Sequence, residues 1–275
     1  MKLAATRPKL KQISAHGFVA VYVVLATFLA GLASTNIAYG FAFDGLKIPL
    51  REPLNLGIVL VFYWLFLKYQ PNAIITQMSI GGFWSACFGI GATIVLLLAV
   101  WLIFWQTGVL ANIAARTIDG QTALSIAVGF IFVFIHGLSE QWLIQKIGQQ
   151  LLANTYGIWA GLIGAGAMFA ILQALQGYNA PIYMLNSFAF GVFVAILAHK
   201  FGLLAAAAAH GFWTWGEVIY LPTAFTFQFR PAVFVGYGPD SYGSIVFTIV
   251  TTLLCLILGI ATNINYKPNN DEIKH

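Results

Sequence analysis

Apolar residues run along this chain in long unbroken stretches, without the short alternation of strands or the one-sided stripe of soluble helices. Eight stretches reach or approach the roughly 20 residues a helix needs to cross a bilayer. They cover about 16–38, 53–69, 83–106, 121–139, 157–176, 181–198, 201–217 and 244–264, the second and seventh being short. Polar or turn-forming pieces separate them: FDGLKIPLREPLN (43–55), QPNA (70–73), RTIDGQ (116–121), QGYNAP (176–181) and a Phe-, Pro- and Gly-rich stretch over 218–243. The pattern predicts an all-α fold, a polytopic transmembrane helical bundle of about eight spans with no internal repeat. The run over 16–38 is longer than the apolar core of a signal peptide and reads as a retained first span.

The expected organisation is a basic cytoplasmic tail (1–15), N-terminal transmembrane helices (16–120), a core (121–217), an extra-membrane loop (218–243), and a last span with a polar tail (244–275). Composition supports this. Hydrophobic residues make up 60% of the 275 positions and charged ones 8%, against about a quarter charged in soluble domains. Lipid must therefore be the solvent for most of the surface. The net charge of +5 carries no nucleic-acid signal, because it is explained by topology. With both termini inside, inner segments carry Lys2, Arg7, Lys9, Lys11, Lys68, Lys146, Lys200, Lys267 and Lys274. Outer loops carry Lys47, Arg51, Arg116 and Arg230. This bias follows the positive-inside rule and suits a bacterial inner (cytoplasmic or intracytoplasmic) membrane. Trp101, Trp105, Trp142, Trp159, Trp213 and Trp215 fall near predicted helix ends, where an aromatic belt is expected. Cys87 and Cys255 lack metal-type spacing and read as free thiols.

Inside a bilayer the informative residues are the polar ones. They are His136, Glu140, Gln141, Gln145, Gln173, Gln176, Asn186, His210, Thr214 and Glu217. His136 and Glu140 are four apart, as are Gln141 and Gln145, and His210 and Thr214. Each pair shares one helix face. Facing one another, these faces would bring three or four helices around one polar pocket. Taken singly, a Gln or Thr in a membrane helix is helix–helix glue. An intramembrane Glu and His on separate helices together point to a site.

The order of these segments resembles the CPBP family, which includes the CAAX prenyl proteases and the bacterial Abi proteins. That family carries E-E-x-x-x-R, F-x-x-x-H and H-x-x-x-N (or D). The corresponding stretches here are Glu140-Gln141-Trp-Leu-Ile-Gln145, Phe169-Ala-Ile-Leu-Gln173 and His210-Gly-Phe-Trp-Thr214. The resemblance covers about 121–217 and implies a helical intramembrane core. It also implies that the first Glu and the second-motif His activate water, while the third-motif His and Asn stabilise an oxyanion. Glu140 and His210 are the positions retained. Gln141, Gln145, Gln173 and Thr214 replace the second Glu, the Arg, the second His and the Asn.

Losing one member of the acid–base pair would strand a buried charge, whereas Gln141 and Gln145 together can hydrogen-bond each other. Thr214 keeps a hydroxyl donor. Gln173 is the decisive change, because a carboxamide cannot take a proton from water near neutral pH. His136, one turn before Glu140, could supply an imidazole, but it lies on the same helix rather than across the pocket and is not expected to replace the missing base. The expected protein is thus a catalytically degenerate CPBP-like protein, a scaffold or subunit of a larger membrane complex, touching lipids and other integral membrane proteins. The alternative is an active glutamate-dependent intramembrane endopeptidase cleaving membrane-associated peptides or prenylated proteins. A transporter fits less well, since there is no helical repeat and no pair of broken helices. No cofactor and no catalytic metal are expected, the sequence having no H-E-x-x-H. Lipid or pigment contacts are compatible with the aromatic fraction of 15%.

Overall fold

The computed structural model describes residues 10–40, 47–69, 78–230 and 243–262. Among them are eight helices: α1 (Leu10–Gly40), α2 (Lys47–Tyr69), α3 (Phe83–Gln106), α4 (Gly120–Tyr156), α5 (Ile158–Leu175), α6 (Pro181–Phe201), α7 (203–224) and α8 (Ile245–Ala261). Each stands where an apolar stretch predicts a span. α1, α3, α4, α5 and α6 are long and apolar enough to cross a bilayer. α8, with 17 residues, reaches the lower limit of a span. α2 is 23 residues long but includes Lys47, Arg51, Glu52 and Lys68, and the regular α-helical part of α7 is 12 residues long. The chain is a multi-pass helical membrane bundle.

Local chemistry sets the helix ends. Gly157 (φ 93°) separates α4 from α5, and Gly202 (φ 94°) separates α6 from α7. Both adopt a backbone that residues with a Cβ rarely enter. Asp119 caps α4, its Oδ1 accepting from the Thr122 amide at 2.8 Å. Hydrogen bonds from Thr122, side chain first, hold this carboxyl below the usual carboxylate range. Buried Ser244 caps α8 by accepting from the Phe247 amide at 3.2 Å. Ser244→Ala should cost about 1 kcal/mol, read as a lower unfolding temperature in detergent micelles.

Small residues let the core helices touch backbone to backbone. α7 packs between α3 and α4, and α5 packs on α6. At the α4–α7 crossing, a Cβ on Gly137 would lie 2.6 Å from the Ala207 carbonyl oxygen. One on Gly211 would lie 2.7 Å from Phe134 Cα. This crossing stands one turn from Glu140 on α4 and one residue from His210 on α7.

Three expectations need correction. The segment 43–55 is not all loop, because α2 begins at Lys47 and takes in Arg51, Glu52 and Pro53. Pro49 and Pro53 favour a turn locally. Burial of Glu52, Asn55, Val59 and Phe66 along one helix face outweighs them. Second, the span over 121–139 is only the first part of α4. The helix continues through a π-helical turn (Ile144–Gln149) to Tyr156, 37 residues or about 55 Å. Residues 136–145 therefore lie mid-helix. Trp142 packs edge-on against Tyr63 at 6.1 Å instead of joining a belt. Lys146 is buried in helix, where its Nζ donates to the Met78 carbonyl at 2.6 Å.

Third, 218–243 is not simply a loop. α7 runs through a second π turn (Trp215–Tyr220) to Ala224, and Phe225–Phe229 (β2) pairs antiparallel with Leu110–Ala115 (β1). Residues 231–242 lie outside the described residues, as do 1–9 of the basic tail and the terminal YKPNNDEIKH. Residues 10–15 of the tail continue α1 ahead of the candidate span, which begins at Gly17. Cys87 and Cys255 are free and half-buried.

Candidate functional site

Three helices deliver the predicted residues to one place. α4 supplies His136, Glu140, Gln141 and Gln145, α5 supplies Gln173 and Gln176, and α7 supplies His210. Glu140 is 2% exposed and lies at the centre. Its Oε1 accepts from Gln176 Nε2 at 2.7 Å and lies 3.5 Å from His136 Nε2. Its Oε2 accepts from Gln173 Nε2 at 3.4 Å and lies 3.8 Å from His210 Nε2. The amide at the second-motif position thus donates to the carboxylate beside which the family would hold its water.

Gln141 and Gln145 are fully buried and bond as expected, Gln145 Nε2 donating to Gln141 Oε1 at 2.7 Å. Gln141 Nε2 then turns on His210 Nδ1 at 3.2 Å. With that nitrogen accepting, the imidazole proton sits on Nε2 and faces Glu140. The neutral pair thus reaches the His210 ring directly. Phe169, the aromatic of the second motif, packs edge-on against the His210 ring at 5.2 Å.

One reading changes. Thr214 lines the neighbouring cavity, but its hydroxyl donates to the His210 carbonyl one turn back, at 3.1 Å. That proton is committed to its own helix and is not held out for an oxyanion. His136 shares the pocket with Glu140, as the four-residue spacing predicts: its ring lies 5.7 Å from that of His210 and lines the same cavity.

Sequence reasoning missed Glu52. It is buried on α2, and its Oε2 lies 3.0 Å from His136 Nδ1. Arg51 Nε is 3.6 Å from its other oxygen. The signal was present as the spacing of Glu52, Asn55, Val59 and Phe66 on one face, obscured by two prolines. Two polar residues fall elsewhere. Asn186 donates to the Ser244 carbonyl at 3.1 Å and accepts from Thr248, tying α6 to α8. Glu217 accepts from Trp101 Nε1 at 3.0 Å, joining α7 to α3.

A cavity of about 460 Å³ opens beside the cluster, lined by Arg51, His136, Gln173, Gln176, His210 and Thr214 among others. Glu140 lies behind these side chains. The arrangement offers a carboxylate, two imidazoles and a ring of amides next to a space large enough for an extended segment.

No curated protein matches the chain. A family model, type II CAAX prenyl endopeptidase Rce1-like, matches residues 122–216. That segment supplies Glu140, Gln173, His210 and every other motif position. The membrane core over 122–216 is an Rce1-like domain of the CAAX protease (CPBP) family.

Proposed function

We propose that this chain is a catalytically degenerate Rce1-like membrane protein, a pseudoprotease kept as a scaffold or subunit of a larger complex in a bacterial inner membrane. The observation that carries the reading is the hydrogen bonding of Glu140. Both carboxylate oxygens accept from side-chain amides, Gln176 on one and Gln173 on the other. A water held for attack needs a carboxylate acceptor and a basic partner. Here the acceptor is engaged by the protein itself, and the family's base position is an N–H donor. The Thr214 hydroxyl is also spent, which weakens the oxyanion side. Exposed apolar side chains along α8, such as Leu253, Leu256 and Ile260, are compatible with neighbouring membrane helices or lipid.

A second reading, an active glutamate-dependent endopeptidase, is favoured by one observation. Glu52 and His136 form a carboxylate–imidazole pair at the cavity wall, which would move the base from α5 to α4. Purified protein in liposomes should leave prenylated and transmembrane peptides intact, at the same background as Glu140→Gln. In mild detergent it should migrate as part of an assembly larger than one chain. Cleavage abolished by both Glu140→Gln and His136→Gln would replace the first reading with the second. Recovery only as an isolated monomer would remove the scaffold role.

A further inference from the structure

We infer that the aromatic groove between α3, α7 and the β1–β2 ribbon binds one phospholipid, with an acyl chain in the groove and a phosphoethanolamine head at Arg116 and Glu217. Among the described residues, this groove and the cavity beside Glu140 have no wall residue in common.

The groove is built from a simple alternation. Residues 225–229 read FTFQF, and the period of two in a strand puts Phe225, Phe227 and Phe229 on one face. These three are half-buried, while Thr226 and Gln228 are exposed. The Phe face packs on Trp101 of α3, whose ring centroid lies 4.7 Å from that of Phe227 and 6.1 Å from that of Phe229. From α7, the Trp215 and Tyr220 rings stack at 4.9 Å. The space enclosed is about 510 Å³, and Leu98, Leu102 and Trp105 complete an apolar and aromatic wall. Two indole N–H groups that could break this lining are used inside the protein. Trp101 Nε1 donates to Glu217 Oε1 at 3.0 Å, and Trp215 Nε1 donates to the Ile126 carbonyl at 2.9 Å.

Water does not settle in so apolar a space, so acyl chains of the surrounding bilayer are the natural occupants. A partner helix fits less well. With a diameter of about 10–12 Å and a pitch of about 5.4 Å, a helix fills about 400–600 Å³ per turn, and the groove would take a single turn. Lipid tails are themselves as apolar as the groove, so preference for one lipid must come from the polar end. A second cavity of about 240 Å³ shares Trp101, Leu221, Phe225 and Phe227 with the groove and adds Arg116, Thr226 and Glu217. β1 lies in the connection between the spans α3 and α4, so this end stands where the chain leaves the bilayer, at the level of the lipid head groups. Arg116 Nε donates to Thr226 Oγ1 at 2.9 Å. The remaining guanidinium N–H groups and the Thr226 hydroxyl proton suit phosphate oxygens. Glu217 sets the second condition. A further negative group on the head would meet its carboxyl, whereas an ammonium group would donate to it. Together the two side chains complement a zwitterionic phosphoethanolamine head.

The test uses full-length protein in mild detergent, delipidated and then equilibrated with phosphatidylethanolamine, phosphatidylglycerol and phosphatidylcholine of the same chain length. Native mass spectrometry should find one phosphatidylethanolamine retained per chain, in preference to the other two. Arg116→Gln should lower that retention about 5-fold, the effect of one basic residue at a membrane surface. Leu98→Trp, which fills the groove, should lower it at least as much. Lys68→Gln at the end of α2 should leave it unchanged. Arg116 and Leu98 are both exposed, so neither variant removes a core contact. A chain that keeps no lipid, equal retention of the three lipids, or retention unchanged in either groove variant overturns the inference. So does a second membrane protein crosslinked in the groove through Ile113→Cys. Peptidase activity is not a readout, so the result stands apart from the reading of lost catalysis.

Discussion

Gln145→Arg alone should destabilise the protein by about 3–5 kcal/mol, the cost of leaving a charge buried without a partner. Gln145 is fully buried in the π turn of α4, and its Nε2 bonds to a neutral amide. The nearest acid of the site, Glu140, already accepts from Gln173 and Gln176. A guanidinium there would find Gln141 Oε1 and little else. Adding Gln141→Glu supplies a carboxylate one turn away on the same face. The double variant should recover much of the loss, with a coupling of roughly 2–3 kcal/mol. It should still fall short of the wild type, because a buried ion pair is often no better than a well-packed neutral pair. Denaturant unfolding in micelles measures all three variants. Costs that simply add would show that the two positions changed independently and that neutralisation was not coordinated.

Much of this architecture is legible in the sequence because lipid imposes one strong constraint. A membrane span must satisfy its backbone internally over a fixed thickness, so long apolar runs locate all eight helices. The same constraint makes polar residues conspicuous, and His136, Glu140, Gln173 and His210 do converge. What was hidden follows from the same physics. The full length of α4 is not legible because the apolar run stops near residue 139. Gln141, Gln145 and Gln149 are instead buried in the bundle, where Gln149 donates to the Ala195 carbonyl. Glu52 was hidden by prolines, whose local preference yields to the burial of one helix face. The pairing of His136 with Glu52 depends on how α2 meets α4, a long-range contact that spacing along one helix cannot report. Thr214 failed for a local reason. A threonine in a helix readily donates to the carbonyl four residues back, and that option competes with any ligand.

The Gly137–Gly211 crossing should be a sensitive point of the fold although it contains no site residue. In an exposed helix, Gly→Ala stabilises by about 1 kcal/mol. Gly91 on α3 has nothing within 4 Å of a built Cβ, so Gly91→Ala should show that gain. At Gly137 the new methyl would meet the Ala207 carbonyl oxygen at 2.6 Å and the Gly211 nitrogen at 2.8 Å. At Gly211 it would meet Phe134 Cα at 2.7 Å and the Val133 carbonyl oxygen at 2.8 Å. These are backbone atoms and cannot rotate away, so the helices must separate. Overpacking of this kind costs about 1–3 kcal/mol, which outweighs the propensity gain. Gly137→Ala and Gly211→Ala should therefore unfold at lower temperature than the wild type, and Gly91→Ala at higher. Separation also lengthens the 3.8 Å between Glu140 and His210, because both residues are carried by the same two helices. A Gly137→Ala protein as stable as Gly91→Ala would mean that the crossing is looser than its geometry implies and that α4 and α7 do not hold the site together.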